Sequence, residues 1–237
     1  MQELLEPAAQ QILREEAARI PQWTAWLEHQ RYRASTQYRC CCHAAAAAGD
    51  IDILASAEAE AAAPWNVFPM LYCFPAHDVS RRQWIEATAA HVPQTVQLLK
   101  RIVGDTLRTA LFSRLDADSV VEAHTGWADL ANHVYRVHVP IDIPMDDDGA
   151  VGDLCSTWVD GCVVTHAPDR LIVFDDSKMH RAFHYSSQPA RVVLILDLAR
   201  PPYLPLGTDT GGHSEELDSF IAQFASSDSD ATAPPPN

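Results

Sequence analysis

From about residue 108 the chain changes texture, and that change limits its fold more than any other feature. Short runs rich in β-branched and aromatic residues, at 109–115, 119–123, 133–142, 158–165, 171–175 and 190–198, are separated by turn-forming residues. Side chains on a strand alternate between faces with a period of two, so runs this short and this regularly spaced pair with one another as antiparallel neighbours. The pattern favours an antiparallel sandwich or barrel over βαβ units.

Upstream the signals are helical. Residues 2–35 carry Leu4, Leu5, Ala8, Ile12 and Ala17 at helix-like spacing, interrupted near Pro21. Trp23, Trp26 and Leu27 form an apolar stripe read as packing. The alanine-rich stretch 44–63 predicts a helix broken around Gly49-Asp50, and 80–106 predicts one or two more, divided by Pro93. The class expected is therefore mainly β with flanking helices (α+β). After Leu206 the chain turns polar, with a short amphipathic helix expected near 214–225, and its end, SSDSDATAPPPN, has the composition of a disordered tail.

Charge and cysteine content narrow the partners. The chain has 237 residues and a formal net charge of −15, with no basic stripe to meet phosphates, so a nucleic-acid partner is not expected. The N-terminus, MQELLEPAAQQILREE, has no basic region followed by an apolar core, and no stretch reaches bilayer-spanning length. A soluble, cytoplasmic protein is the expectation. Of the six cysteines, Cys40, Cys41 and Cys42 are consecutive, which is poor disulfide geometry, and free thiols are expected throughout.

Several residues carry chemistry. His124, in His124-Thr125-Gly126, and His180, closing Phe174-Asp175-Asp176-Ser177-Lys178-Met179-His180, are two imidazoles in distinct settings. If they converge, they can hold a divalent transition metal and leave most of its positions open. Asp176, four residues before His180, is close enough to orient the imidazole or a metal-bound water. On the strand 133–139, Arg136 and His138 share one face and Tyr135 and Val137 the other. A buried cation and imidazole need an anionic partner, so that face suits a ligand-lined interior. Arg191 opens the apolar run 190–198, where an arginine requires either a structural carboxylate or a carboxylate ligand gripped through two hydrogen bonds.

These residues in order resemble the aspartyl/asparaginyl β-hydroxylase family of iron(II)- and 2-oxoglutarate-dependent oxygenases. The matching pieces are Leu111-Phe112-Ser113-Arg114-Leu115, His124-Thr125-Gly126, Asn132 through Arg136-Val137-His138, Ile172 to Ser177 with His180, and Arg191 leading to Asp197 and Arg200-Pro201. Pro64-Trp65, Phe68-Pro69 and Leu71-Tyr72 look like an upstream family element. The resemblance implies a double-stranded β-helix (a cupin-like jelly roll) over 107–206, preceded by a helical part over 1–106 in one oxygenase domain and followed by a tail, 207–237. It implies that His124 and His180 ligate Fe(II) and that Ser113 and Arg191 hold the distal carboxylate of 2-oxoglutarate. Arg136 and His138 would lie near the metal-bound end of that co-substrate, Trp65 would join the co-substrate-binding residues, and Asp176 is the catalytic candidate. Gly126 falls where related oxygenases carry a third, carboxylate ligand. The implied reaction consumes O2, converts 2-oxoglutarate to succinate and carbon dioxide, and hydroxylates an unactivated carbon.

The chain also departs from the family pattern. About three additional residues, within Trp127-Ala128-Asp129-Leu130, separate His124 from Arg136, which makes Asp129 or Glu122 an alternative source of a third ligand. Val134 stands where aspartyl-residue hydroxylases have a basic residue, and the approach to the second histidine reads Thr165-His166-Ala167-Pro168-Asp169-Arg170. A small-molecule or amino-acid-derived substrate is therefore expected. The competing readings are halogenation, desaturation or cyclisation by a related iron enzyme, a non-catalytic cupin-like binding module, and a zinc site using His124, His133 and His180.

Overall fold

A computed structural model describes residues 1–26, 32–34, 65–145, 149, 155–185, 189–210, 219–222 and 224. Two antiparallel sheets face each other. The larger contains β1 (Thr24–Ala25), β3 (Trp65–Tyr72), β5 (Leu107–Leu115), β12 (Arg191–Ala199), β7 (Val134–Asp142) and β10 (Ile172–Phe174) in that order, with β4 (Gln83–Trp84) also paired to β3. The smaller runs β2 (Tyr32–Ala34), β6 (Ser119–His124), β11 (His180–His184), β8 (Cys155–Val159) and β9 (Cys162–Thr165). From β5 onward the chain repeatedly crosses between the two sheets, β5 to β6, β6 to β7, β7 to β8, β9 to β10, β10 to β11 and β11 to β12. This is the winding of a jelly roll.

Strand periodicity sorts the side chains. Leu194 and Leu196 of β12, Val137, Val139 and Ile141 of β7, and Ala110 and Phe112 of β5 face one cluster, shared with Leu4, Leu13, Val96 and Leu99 of the helical side. Their neighbours of opposite parity, Ser113, Arg136, His138, Arg191 and Ile195, face the space between the sheets. Pro69 lies inside β3 because the β3–β5 register shifts between Pro69 and Leu71, and such an irregularity accommodates a residue with no N–H to offer.

The helices cover the outer face of the larger sheet. Helices α1 (Pro7–Ala18) and α3 (Pro93–Ile102) both begin with proline at the first turn, where its missing N–H costs nothing. Buried Glu16 of α1 caps the start of α3, its two carboxylate oxygens accepting from Gln94 N at 3.0 Å and Thr95 N at 2.7 Å. A carboxylate there also meets the positive end of the helix dipole. Pro93 divides α2 (Glu86–Ala89) from α3 as the sequence suggests.

The structure corrects two expectations in the first half of the chain. The helix expected over 2–35 ends at Ala18, and its buried face is Ala9, Leu13 and Ala17, whereas Ala8 is exposed. Residues 24–25 and 32–34 are strands, and so is 65–72, so the larger sheet starts well before residue 107. Apolar runs of this length do not separate helix from strand by periodicity alone, and pairing with β5 decides the case for β3. In the second half, a further strand not evident from the sequence pattern, β11 at 180–184, lies at the centre of the smaller sheet. The expected alanine-rich helix over 44–63 and Cys40–Cys42 fall outside the described residues. At the C-terminal end, residues 219–222 and 224 are helical. No described helix is long and apolar enough to cross a membrane.

Candidate active site

His124 ends β6 and His180 begins β11, and sheet pairing sets them directly opposite each other. Their ring centroids are 4.3 Å apart with the planes tilted by 55°. Each ring is held the same way: Nδ1 of His124 lies 2.7 Å from Glu122 O, and Nδ1 of His180 lies 2.8 Å from Lys178 O. A carbonyl oxygen only accepts, so both Nδ1 atoms carry the proton and donate, which puts the lone pair of each ring on Nε2. Burial, then neighbouring His124 and Arg136, hold His180 well below the usual histidine range. Two adjacent imidazoles of one tautomer are a donor set that fits a divalent transition metal.

Asp176 turns inward beside this pair. It is fully buried, 3.6 Å from His180 Nε2 and 2.6 Å from Arg136 Nη1. Arg136 also clasps Asp197, through Nε at 2.8 Å and Nη2 at 3.0 Å, across a directly paired position of β7 and β12. One guanidinium thus bridges two buried carboxylates, which is bidentate on one side and single on the other. Burial pushes the Asp176 carboxyl up to about 7, Arg136 pulls it down, and Asp197 adds to the rise. Asp175, by contrast, is a turn residue: its Oδ1 accepts from Ser177 N and Oγ and pairs with Arg200 at 2.5 Å.

Gly126 explains its own identity. A Cβ there would run into Asp176 Oδ2 and lie 2.8 Å from the Ala131 Cβ. The room that a side chain at 126 would take is occupied by the Asp176 carboxylate, whose backbone oxygen also accepts from Gly126 N at 3.0 Å. Gly126→Ala should therefore expel Asp176 from Arg136. Arg136 keeps its bidentate pair with Asp197, so the expected outcome is a loss of about 1–3 kcal/mol in denaturant unfolding, the cost of leaving one buried donor without its acceptor. Unchanged stability would mean that Asp176 has another place to go.

Between the sheets, a cavity is lined by Ser113, Arg136, His138, Thr157, Arg191, both metal-candidate histidines and Trp65. Arg191 is only 2% exposed, and no described carboxylate lies within ion-pair distance of it. Its Nε has no hydrogen-bond partner, nor has His138 Nδ1. Ser113 Oγ accepts from Trp65 Nε1 at 2.8 Å, which leaves the hydroxyl proton to donate into the cavity. Burial is the main cause that lowers the pKa of His138, with His166 and Arg191 adding to it. The ring stays neutral.

A second opening lies on the other side of His124, lined by Trp26, Trp65, Trp127, Thr125, Arg136 and Asp176. The Trp26 ring stands 5.4 Å from both Trp65 and Trp127 and meets Phe220 edge-on at 5.2 Å. Trp26, read from sequence as packing, thus also lines the approach to the histidines. Trp127 comes from the stretch added between His124 and Arg136, and the rest of that stretch forms α4 (Ala128–Ala131).

Neither Asp129 nor Glu122 supplies a third ligand: among the described residues no third His, Cys, Asp or Glu completes a metal-holding group. His133 leaves the site altogether, its ring lying 4.8 Å from His77, which removes the zinc reading with His124 and His180. Cys73 and Cys155 are buried free thiols and Cys162 an exposed one. Three contributors escaped the sequence reading. Asp197 was seen only as part of an ordered pattern, Thr157 lies in a strand of ordinary composition, and His166 sits in the stretch where the family pattern breaks down.

Residues 7–201 match the model of the aspartyl/asparaginyl beta-hydroxylase family. The chain belongs to this family. The protein is accordingly an oxygenase of the hydroxylase kind, and the reading as a binding module without activity falls. A search of the curated proteins finds no match. Among solved structures, the chain is similar to a 2OG-Fe(II) oxygenase family oxidoreductase from Burkholderia pseudomallei, at 16% identity and a TM-score of 0.44 over 62% of this chain and 73% of that one. It is also similar to a Pseudomonas putida prolyl-4-hydroxylase, at 10% identity and a TM-score of 0.41 over 83% of this chain and 89% of that one. HygX from Streptomyces hygroscopicus, with nickel and 2-oxoglutarate bound, gives 11% identity and a TM-score of 0.38 over 60% and 72%.

Proposed function

We propose that the protein is an Fe(II)- and 2-oxoglutarate-dependent dioxygenase that hydroxylates an unactivated carbon of a small-molecule or amino-acid-derived substrate. His124 and His180 would hold the metal through Nε2. Arg191 and Ser113 would hold the distal carboxylate of 2-oxoglutarate. The observation that carries this reading is Arg191, a buried guanidinium without a described anion, opening onto the same cavity as two neutral imidazoles. A cation left so is expensive unless the site receives an anionic ligand.

Bound iron would supply dioxygen activation, with 2-oxoglutarate as the two-electron reductant leaving as succinate and carbon dioxide, one oxygen atom going into succinate and the other to the substrate carbon. The chain's own part is positional. Arg191 and Ser113 orient the co-substrate, Phe174 and Ile195 keep water from its carbon chain, and the Arg136 bridge fixes Asp176 beside His180. Asp176 would thereby present a hydrogen-bond acceptor beside Nε2 of His180.

The indole-walled opening supports an apolar or cationic substrate over an acidic one. Aromatic faces attract cations and flat apolar groups. Val134, buried in the apolar cluster with Leu130 and Phe220, offers an acidic side chain nothing to grip.

The test is succinate formation by anaerobically purified protein reloaded with Fe(II), given 2-oxoglutarate, oxygen, chloride and a panel of cationic and aromatic small molecules. Iron-dependent succinate, with a product heavier by one oxygen atom, is the expected result. Turnover that needs no 2-oxoglutarate, or a chlorinated product, would overturn the proposal.

A further inference from the structure

His166 directly follows β9 and is 1% exposed, in a stretch where the chain departs from its family. Its Nε2 lies 3.2 Å from Arg191 Nη1 and 2.9 Å from Thr157 Oγ1. A guanidinium only donates, so this Nε2 must carry a lone pair and the proton belongs on Nδ1. The ring lies nearly parallel to that of His138, with planes 14° apart and centroids 5.6 Å apart, and His138 lines the cavity. His166 is thus clamped on one face and hydrogen-bonded at one edge.

The chemistry of that acceptor matters. A carboxylate at this place would neutralise Arg191 and compete with any anionic ligand. An apolar ring would leave the guanidinium free to swing among rotamers, since no described carboxylate restrains it. A neutral imidazole does neither: it accepts one N–H, fixes the plane of the fork, and leaves its positive charge for a ligand.

We propose that His166 is a positioning residue that aims Arg191 and thereby sets the length of dicarboxylate the cavity accepts. The inference rests on the reading that Arg191 grips the distal carboxylate of 2-oxoglutarate. With Nη1 tied back to His166, the rest of the guanidinium faces the ligand from a fixed distance to the histidine pair. A chain one methylene longer then overreaches the clamp.

The experiment compares His166→Phe, which keeps a ring against His138 but accepts nothing, with His166→Gln, which keeps an acceptor amide. Binding of 2-oxoglutarate and of 2-oxoadipate to iron-loaded protein is measured by anaerobic titration calorimetry, beside KM and kcat for succinate formation. His166→Phe should weaken 2-oxoglutarate binding about ten- to hundredfold, the usual effect of stranding a buried donor. Binding of 2-oxoadipate should fall far less, kcat at saturation should stay within about twofold, and His166→Gln should recover most of the affinity. Wild-type binding in His166→Phe, equal losses for both acids, or equal impairment of the two variants would overturn the proposal. Arg191→Ala in the same titration separates the two layers. If it leaves 2-oxoglutarate binding intact, the clamp reading itself fails; if it abolishes binding while His166→Phe does not weaken it, only the role of His166 falls.

Discussion

Arg191→Ala is expected to raise the KM for 2-oxoglutarate by about two to three orders of magnitude, with that for the prime substrate changed only a few-fold. The asymmetry follows from placement. Arg191 opens β12 on its inner face and lines the cavity with Ser113 and His138, whereas the tryptophan-walled opening beyond His124 does not include it. Removing one partner of a buried charge pair costs about 3–5 kcal/mol, because the partner left behind has lost its solvation as well. Here the partner is the ligand's own carboxylate, which simply fails to bind. Steady-state kinetics with each substrate varied in turn would show the split, and equal increases in both constants would argue that Arg191 serves the fold and not the co-substrate.

The second large effect concerns the histidine pair. His124→Ala and His180→Ala should each reduce iron retention by more than about a hundredfold, beyond the range seen when only a group behind a metal ligand is removed. Among the described residues no group of three His, Cys, Asp or Glu forms a metal-holding set, so each variant loses half of the candidate ligand pair. Metal content after anaerobic reloading and gel filtration reads the first consequence, and succinate formation the second. Full turnover in both variants would sink the assignment of the metal site.

The strands of the second half were legible because each run is short, β-branched and bounded by turn residues, and five of the six runs overlap strands of nearly the same extent, the sixth dividing into β8 and β9. The alternation on β7 placed Arg136 and His138 together before any contact was known. The first half was harder. Leu4, Leu5, Ala8, Ile12 and Ala17 form a plausible helical face, but the residues actually buried are Leu4, Ala9, Leu13 and Ala17, with Leu4, Leu13 and Ala17 in the cluster that holds Phe68 and Val139. Strand β3 reads as an apolar run with an internal proline, and only its partner β5 reveals it as a strand.

At the site, residues that act alone at a recognisable spacing were visible, and residues that act through a partner were not. Asp197 matters because it lies opposite Arg136, a fact of sheet register that no local pattern encodes. His166 matters because its ring reaches Arg191 from twenty-five residues away in sequence. Gly126 could be seen as a missing ligand, but that Asp176 fills the gap emerges only when two loops meet.

The parity of β12 has a further meaning. Arg191, Val193, Ile195 and Asp197 face inward as one set, while Leu194 and Leu196 serve the helical side. A slip of a single position would exchange the two sets, driving both charged groups into the oil beneath α1 and α3 and emptying the cavity of its clamp. Correct winding and competence to capture a co-substrate are therefore not separate achievements of this chain. A molecule that binds the keto acid has, by that act, certified the alignment of its central strand.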